Sequence, residues 1–145
     1  MLSKLNHKVF NGISYLFMFL WLYTVSHKLI GFGEFRWALF NQPLPHWLSV
    51  TLLFFLPFVE LAAVLLLAFG RYRYIGMLLS LSLMLAFTAY VGLVLTDSFD
   101  RVPCACAGIL EKMDWSSHLA FNLILLALSL LAIFFHLRER RSGSR

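Results

Sequence analysis

Charged side chains are scarce in this chain of 145 residues: Asp, Glu, Lys and Arg make up only 13% of it, whereas 61% is hydrophobic. Such a composition leaves too little polar surface to coat a water-soluble globule, so a lipid bilayer is the expected solvent. The sequence also lacks a Gly-rich phosphate loop, a Ser/His/Asp arrangement and any cluster of His and Cys dense enough for zinc or haem. No metal site is therefore predicted from clustered ligands.

Four long apolar runs account for the composition. Each is close to the roughly 20 residues that a helix needs to cross about 30 Å of hydrocarbon. We predict an all-α, polytopic membrane protein with a single four-helix bundle domain over residues 1–137 and a basic tail over 138–145. The predicted spans cover about residues 9–30, 48–69, 75–96 and 119–137. The first run is about twice as long as the apolar region of a signal peptide and no cleavage site follows it, which favours a span.

The distribution of basic residues predicts the orientation of the spans. An even number of spans places both termini on one side, and that side holds eight basic residues: Lys4, Lys8, Arg71, Arg73, Arg138, Arg140, Arg141 and Arg145. The other side holds four: Lys28, Arg36, Arg101 and Lys112. By the positive-inside rule, both termini are predicted to be cytoplasmic. The basic residues are too few and too scattered to form a nucleic-acid-binding stripe.

The two cysteines, Cys104 and Cys106, are separated by one alanine between the last two spans. A disulfide there would close a three-residue loop, which contributes only about 1.6 kcal/mol in the chain-entropy model. An extended Cys-x-Cys also holds its Cα atoms about 6.5 to 7 Å apart, at the edge of what a disulfide can span. Strained, accessible disulfides are those used in thiol exchange. The spacing favours a redox pair, while a soft-metal clip and a structural or inert pair stay open.

A polar stripe begins just after the cysteines. On a continuous helix, spacings of 4, 3 and 4 place one set of residues on a single face: Glu111, Trp115, His118 and Asn122. Polar side chains within hydrocarbon tend to face the bundle interior or a cavity. His118 is therefore placed to relay a thiol proton. Hydrogen bonding between helices is the alternative role for His118 and Asn122.

Two charged residues fall within the predicted spans. Glu60 lies near mid-membrane, where an isolated carboxylate is costly, so we predict that it is neutral or paired. Lys28, on a stripe with Trp21 and Thr24, either extends its ammonium to the interface or pairs with a carboxylate. A contact between Lys28 and Glu60 is not assumed for unkinked helices, and Pro57, one turn before Glu60, could supply a kink.

The first outer connection, Gly31 to His46, is rich in aromatic residues and poor in charged ones. This pattern predicts a short helix lying in the membrane interface rather than a flexible linker. Such a helix would form a hydrophobic lid near the cysteine segment.

Several residues and short segments of the chain are similar to those of a known protein family. They are Lys28, Gln42-Pro43, Pro57-Phe58-Val59-Glu60-Leu61, Phe87-Thr88-Ala89-Tyr90, Val102-Pro103-Cys104-Ala105-Cys106, and then Trp115, His118, Phe121 and Asn122. Together they resemble the MauE/DoxX redox-associated membrane proteins over nearly the whole chain. The resemblance implies a DoxX-like four-helix bacterial membrane protein that supports disulfide formation or maturation of exported proteins beside a thioredoxin-like partner.

The predicted function is that of a bacterial inner-membrane thiol-disulfide redox protein whose cysteine segment faces the periplasm and exchanges electrons with a periplasmic thioredoxin-like protein. The candidate catalytic residues are Cys104, Cys106 and His118, and the candidate pocket residues are Trp115, Asn122, Glu60, Lys28 and Tyr90. Whether the chain is itself an oxidoreductase stays open. No cofactor is readable from the sequence, and a quinone is one conceivable electron acceptor.

Two alternative functions remain at this point. A copper-handling membrane protein would use the two thiolates as soft ligands, but the five methionines form no ladder toward them. A non-catalytic subunit that scaffolds a membrane redox complex would not need the cysteines at all. Methylamine metabolism is not carried over from the family name, since nothing in the sequence recognises an amine.

Overall fold

A computed structural model of the chain describes residues 2–96 and 114–143, and all regular structure within these residues is helical. The helices are α1 (Leu2–Ile30), α2 (Phe32–Phe40), α3 (His46–Ala68), α4 (Arg73–Leu95) and α5 (Trp115–Gly143). The predicted all-α class is confirmed. The first and last helices in the chain, α1 and α5, extend beyond the predicted apolar runs, because their polar ends continue in helical conformation.

The four long helices form a ring in which each packs against two neighbours. α1 packs against α3 and α5, and α4 packs against the same two helices from the opposite side. Contacts between Asn11 and Arg73, and between Phe10 and His136, fix the ends that lie together. The start of α1, the α3–α4 connection and the end of α5 therefore share one end of the bundle.

Each long helix has the length and composition of a membrane span. The spans are Lys4–Ile30, His46–Ala68, Arg73–Leu93 and Ser116–Ser142. Large apolar side chains point away from the bundle, and Phe58 on α3 is 72% exposed. Rings on such a surface are solvated by lipid, whereas in water they would form an extended apolar patch. The protein is a multi-pass membrane protein.

A glycine allows α4 to approach α3 closely. A Cβ atom at Gly76 would lie 2.9 Å from the backbone nitrogen of Leu67. Any larger residue there would push the two helices apart. This close approach brings Ser80, one turn further along α4, into the bundle interior, where it is fully buried.

The connection between α1 and α3 contains the predicted short helix. α2 buries Phe35 and Ala38 against the bundle, and Trp37 on its opposite face is largely exposed. α2 packs on α3 and α1. The cysteine segment lies outside the described residues, so the predicted role of α2 as a lid over it stays a prediction.

The first turn of α5 is fixed by a side-chain cap. The Ser117 hydroxyl donates to Asp114 Oδ1 at 2.6 Å, and the Ser117 backbone N–H approaches Oδ2 at 3.4 Å. These hydrogen bonds, the hydroxyl bond foremost, hold the pKa of Asp114 below its usual value. The cap sets where α5 begins and therefore places His118 one turn inside the helix.

Candidate functional site

A buried ion pair lies between α1 and α3. The Lys28 ammonium donates to Glu60 Oε1 at 2.7 Å, and neither side chain is accessible to more than a few per cent. The ring of Phe35 on α2 covers the ammonium, with its centroid 5.7 Å from Nζ. Lys28 is therefore paired with a carboxylate and does not extend its ammonium to the membrane interface. Pro57 lies inside α3, which is helical on both sides of it, and the Lys28–Glu60 contact is made about one turn further along.

Thr24 completes the contacts of the Glu60 carboxylate. Its hydroxyl lies 3.2 Å from Glu60 Oε2 and 3.1 Å from the carbonyl oxygen of Trp21. Thr24 and Lys28 are one helical turn apart, so both reach the same carboxylate from one face of α1. The two oxygens of Glu60 thus have separate partners, which is how a buried carboxylate is stabilised.

Trp21, one turn before Thr24, ties α1 to α4. Its indole N–H donates to the Ser80 hydroxyl at 2.9 Å, and Ser80 in turn donates to the Gly76 carbonyl at 2.8 Å. Trp21 is 1% exposed. The face of α1 that carries the ion pair is therefore held against both α3 and α4.

α5 closes this region from the fourth side. His118 and Asn122 are 4% and 3% exposed, and both line a cavity of about 40 Å³ together with Thr24, Lys28 and Glu60. We call it the polar cavity after these five side chains, and apolar side chains make up most of the rest of its wall. Its volume is enough for about one to three water molecules. All four long helices contribute to the polar cavity, so it exists only in the assembled bundle.

Asn122 has an unfilled donor in the polar cavity. Its Nδ2 is buried and has no hydrogen-bond partner within residues 2–96 and 114–143. Ser129, on the same buried face of α5, instead donates to the Leu126 carbonyl at 2.7 Å. A buried unsatisfied amide costs stability, and such groups in native proteins commonly mark a functional site or a bound water.

A larger, mostly apolar cavity of about 360 Å³ adjoins the polar cavity. Lys28 and Phe87 line both, and leucines of α3 make up much of the remaining wall. Tyr90 lies here, and its hydroxyl donates to Gln42 Oε1 in the α2–α3 connection. The hydrogen bond joins residues 48 positions apart. No local pattern in the sequence could have indicated it.

The structure brings together most of the described residues that were predicted for the site. Glu60, Lys28, His118 and Asn122 line the polar cavity, whereas Tyr90 lies in the neighbouring apolar one. Cys104 and Cys106 lie outside the described residues. Trp115 begins α5, and its side chain is also outside what the structure describes.

The sequence did not indicate three polar residues that serve as hydrogen-bond partners in or near the site. Thr24, Ser80 and Gln42 were not identified as hydrogen-bond partners, although the spacing of Thr24 and Lys28 was an available signal. Within the described part of the chain, no group of three or more His, Cys, Asp or Glu side chains is arranged to hold a metal ion.

The comparison with protein families gave a match that covers most of the chain. The family profile described as "Methylamine utilisation protein MauE" matches residues 6–135. The match includes most of each helix that lines the two cavities and the whole segment that carries both cysteines. Comparisons with curated proteins and with solved structures gave no significant match.

Proposed function

The chain belongs to the MauE family, and on that premise we propose that it is a membrane thiol-disulfide redox protein. Its Cys104-Ala105-Cys106 segment exchanges electrons with a thioredoxin-like partner and so supports disulfide formation or maturation of exported proteins. The protein resides in the bacterial inner membrane with this segment on the periplasmic side, as the distribution of basic residues predicts. The proposal does not extend to methylamine itself.

One observation carries the proposal: the polar cavity extends from the middle of the bundle to within about one turn of the helix ends to which the cysteine segment is attached. That segment connects the end of α4 at Leu95 to the start of α5 at Trp115. Val91 and His118, each about one turn from one of these helix ends, both line the polar cavity. On α5, His118 is thus held about one turn from the point where the cysteine segment joins the helix, and Asn122 lies one turn further into the bundle.

The proposed exchange is a two-electron transfer between dithiol and disulfide. When the partner is the protein that becomes oxidised, one of its thiolates attacks the Cys104–Cys106 disulfide and forms a mixed disulfide. The second partner thiolate then breaks the mixed disulfide, which leaves the partner oxidised and both cysteines reduced. The reverse sequence transfers the same two electrons the other way.

His118 and Asn122 are proposed to act as positioning residues for the thiol exchange. Each thiol that becomes a thiolate releases a proton, and a buried imidazole one turn inside α5 can accept one. Asn122 contributes an amide donor that can hold a water molecule between the imidazole and the Lys28–Glu60 pair. The ion pair keeps this region polar without adding net charge to the bundle interior.

The proposal is tested by trapping the thiols in intact cells. Cys104→Ala and Cys106→Ala variants each retain one thiol, and one of them is expected to accumulate a mixed disulfide with a thioredoxin-like protein, because the resolving thiol is missing. The wild-type pair is expected to be a mixture of oxidised and reduced forms that shifts when the partner is deleted. Alkylation with a mass-adding maleimide, followed by non-reducing electrophoresis, measures both.

The same experiment separates the alternative functions. The double variant Cys104→Ala/Cys106→Ala serves as the control and should form no conjugate. A pair that stays reduced in every strain, with stoichiometric copper on the purified reduced protein, would contradict redox exchange and favour metal handling. Full partner activity in the double variant would instead identify a scaffold subunit.

Replacement of Asn122 is expected to separate stability from function. Asn122→Leu should leave the folded stability unchanged or raise it by about 1 kcal/mol, because it removes a buried donor that has no partner. The rate of thiol exchange should nevertheless fall, as in other sites where activity requires a destabilising polar group. Thermal unfolding in detergent and the oxidation rate of the thiols measure the two effects.

Ser129→Ala is the matched control for this prediction. Ser129 lies on the same buried face of α5 but does not line the polar cavity. Its replacement should leave the exchange rate unchanged. Equal exchange rates in wild type and Asn122→Leu would show that the amide does not serve the thiols.

A further inference from the structure

The end of the bundle opposite the cysteine segment contains a second concave site. A cavity of about 290 Å³ lies where the start of α1, the α3–α4 connection, the start of α4 and the end of α5 meet. Its arginine and histidine lining residues are Arg71, Arg73, Arg140, His7 and His136. We call it the arginine cavity. Among the described residues, no carboxylate contributes to its lining.

Arg73 is held in place by the protein and forms the base of the arginine cavity. Its Nε donates to the Leu67 carbonyl at 3.0 Å, and one terminal nitrogen donates to Asn11 Oδ1 at 2.8 Å. The guanidinium also lies against the ring of Tyr15, 4.8 Å from its centroid. Arg73 therefore joins α4 to α1 and the end of α3, which gives the site a fixed position between helices.

The other two arginines are exposed, and within the described residues their guanidinium groups contact only aromatic rings. The guanidinium groups of Arg71 and Arg140 lie over the rings of Tyr72 and Tyr74, each 5.8 Å from the ring centroid. Within residues 2–96 and 114–143, neither has a carboxylate partner. The ring contacts restrict the two guanidinium groups, whereas their N–H donors are left for a ligand.

His136 supplies a further polar atom without a partner. Its ring is packed between Phe10 and Tyr74, with centroid distances of 4.6 and 4.7 Å. Its Nε2 is buried and has no hydrogen-bond partner in the described part of the chain. Glu139, the acidic residue beside this end of α5, is engaged with His7 at 3.6 Å. It does not neutralise the three arginines.

The chemistry of this lining fits a phosphate group. Three guanidinium groups around one concavity repel one another unless an anion lies between them, and their planar donors match phosphate oxygens in pairs. The cavity lies at the ends of membrane-spanning helices, which is the level of lipid headgroups. We propose that the arginine cavity binds a phosphate-bearing anion, supplied at this position by the headgroup of an anionic phospholipid.

The test compares lipid binding by the full chain with that of a matched pair of variants. Wild-type protein in phosphatidylcholine nanodiscs is titrated with phosphatidylglycerol or cardiolipin, and bound lipid is counted by native mass spectrometry. Arg71→Gln/Arg140→Gln removes two lining arginines and should weaken binding by about tenfold or more, since charge-assisted hydrogen bonds to the anion are lost. Arg71→Lys/Arg140→Lys keeps the charge but loses the planar donors, and should lie between the two.

The control removes the same charge from the same end of the protein. Arg138 and Arg141 lie on the last turns of α5 but do not line the arginine cavity, so Arg138→Gln/Arg141→Gln should retain the wild-type affinity.

Inorganic phosphate added to phosphatidylcholine nanodiscs should compete with the lipid if the phosphate group is what is recognised. Phosphate binding without lipid binding would identify a soluble anion as the ligand. Equal weakening in both glutamine pairs, or no preference for anionic lipid in the wild type, would overturn the proposal.

Discussion

Replacing Glu60 with leucine is expected to destabilise the folded bundle by about 3–5 kcal/mol, the usual cost of removing one partner from a buried ion pair. The Lys28 ammonium is 2% exposed and donates to Glu60 within the described structure. Without that carboxylate, a buried cation has no acceptor and the Thr24 hydroxyl loses one of its two contacts. The loss should appear as a large decrease in the midpoint of thermal unfolding in detergent and in the yield of folded protein.

A double replacement shows whether the pair itself is responsible. Lys28→Met/Glu60→Leu removes both charges and should recover much of the stability lost in either single variant, because no unpaired charge is left. Glu34→Gln removes an exposed carboxylate from α2 and should change stability by less than about 0.5 kcal/mol. If the double variant were as unstable as the sum of the singles, packing rather than charge pairing would explain the effect.

Trp21→Ala is expected to cost about 3–5 kcal/mol, the range for removing a large aromatic side chain from a packed core. Trp21 packs in the same core cluster as Phe17, Ala63 and Met84, and it also lines the polar cavity. Its removal leaves a void beside Thr24 and also removes the indole N–H that donates to the Ser80 hydroxyl. Because Trp21 holds α1 against α4, the Lys28–Glu60 contact should loosen as well.

Two further variants divide this effect into its parts. Trp21→Phe keeps most of the ring volume but leaves Ser80 without the indole donor, and should cost about 1–3 kcal/mol. Trp47→Ala removes a tryptophan that is 69% exposed on α3 and should have little effect on packing within the bundle. Equal losses in Trp21→Ala and Trp47→Ala would mean that Trp21 does not anchor the site.

The polar cavity combines groups of two kinds. The Lys28–Glu60 pair and the Trp21–Ser80 hydrogen bond have their partners and fasten helices together. Asn122 has a donor without one. The paired groups stabilise the bundle. The unpaired Asn122 donor has no stabilising contact among the described residues. We therefore expect function to depend most directly on the α5 residues.

The sequence by itself determined the number and type of the spans. Transfer of apolar residues into lipid depends on composition over about 20 residues, which is local information. The same holds for the short helix between Gly31 and His46, where aromatic residues and few charges indicated α2. The cost of a charge in hydrocarbon also identified Glu60 as a residue that needs a partner.

Only the tertiary structure decided which polar groups meet. Lys28 was compatible with either pairing or exposure, and the choice depends on how α1 packs against α3. The polar cavity and the Tyr90–Gln42 hydrogen bond join elements that are distant in sequence. The arginine cavity likewise requires the ends of α1, α4 and α5 to lie together. Periodicity gives the face of each helix, but the rotation and depth at which two faces meet depend on packing between them.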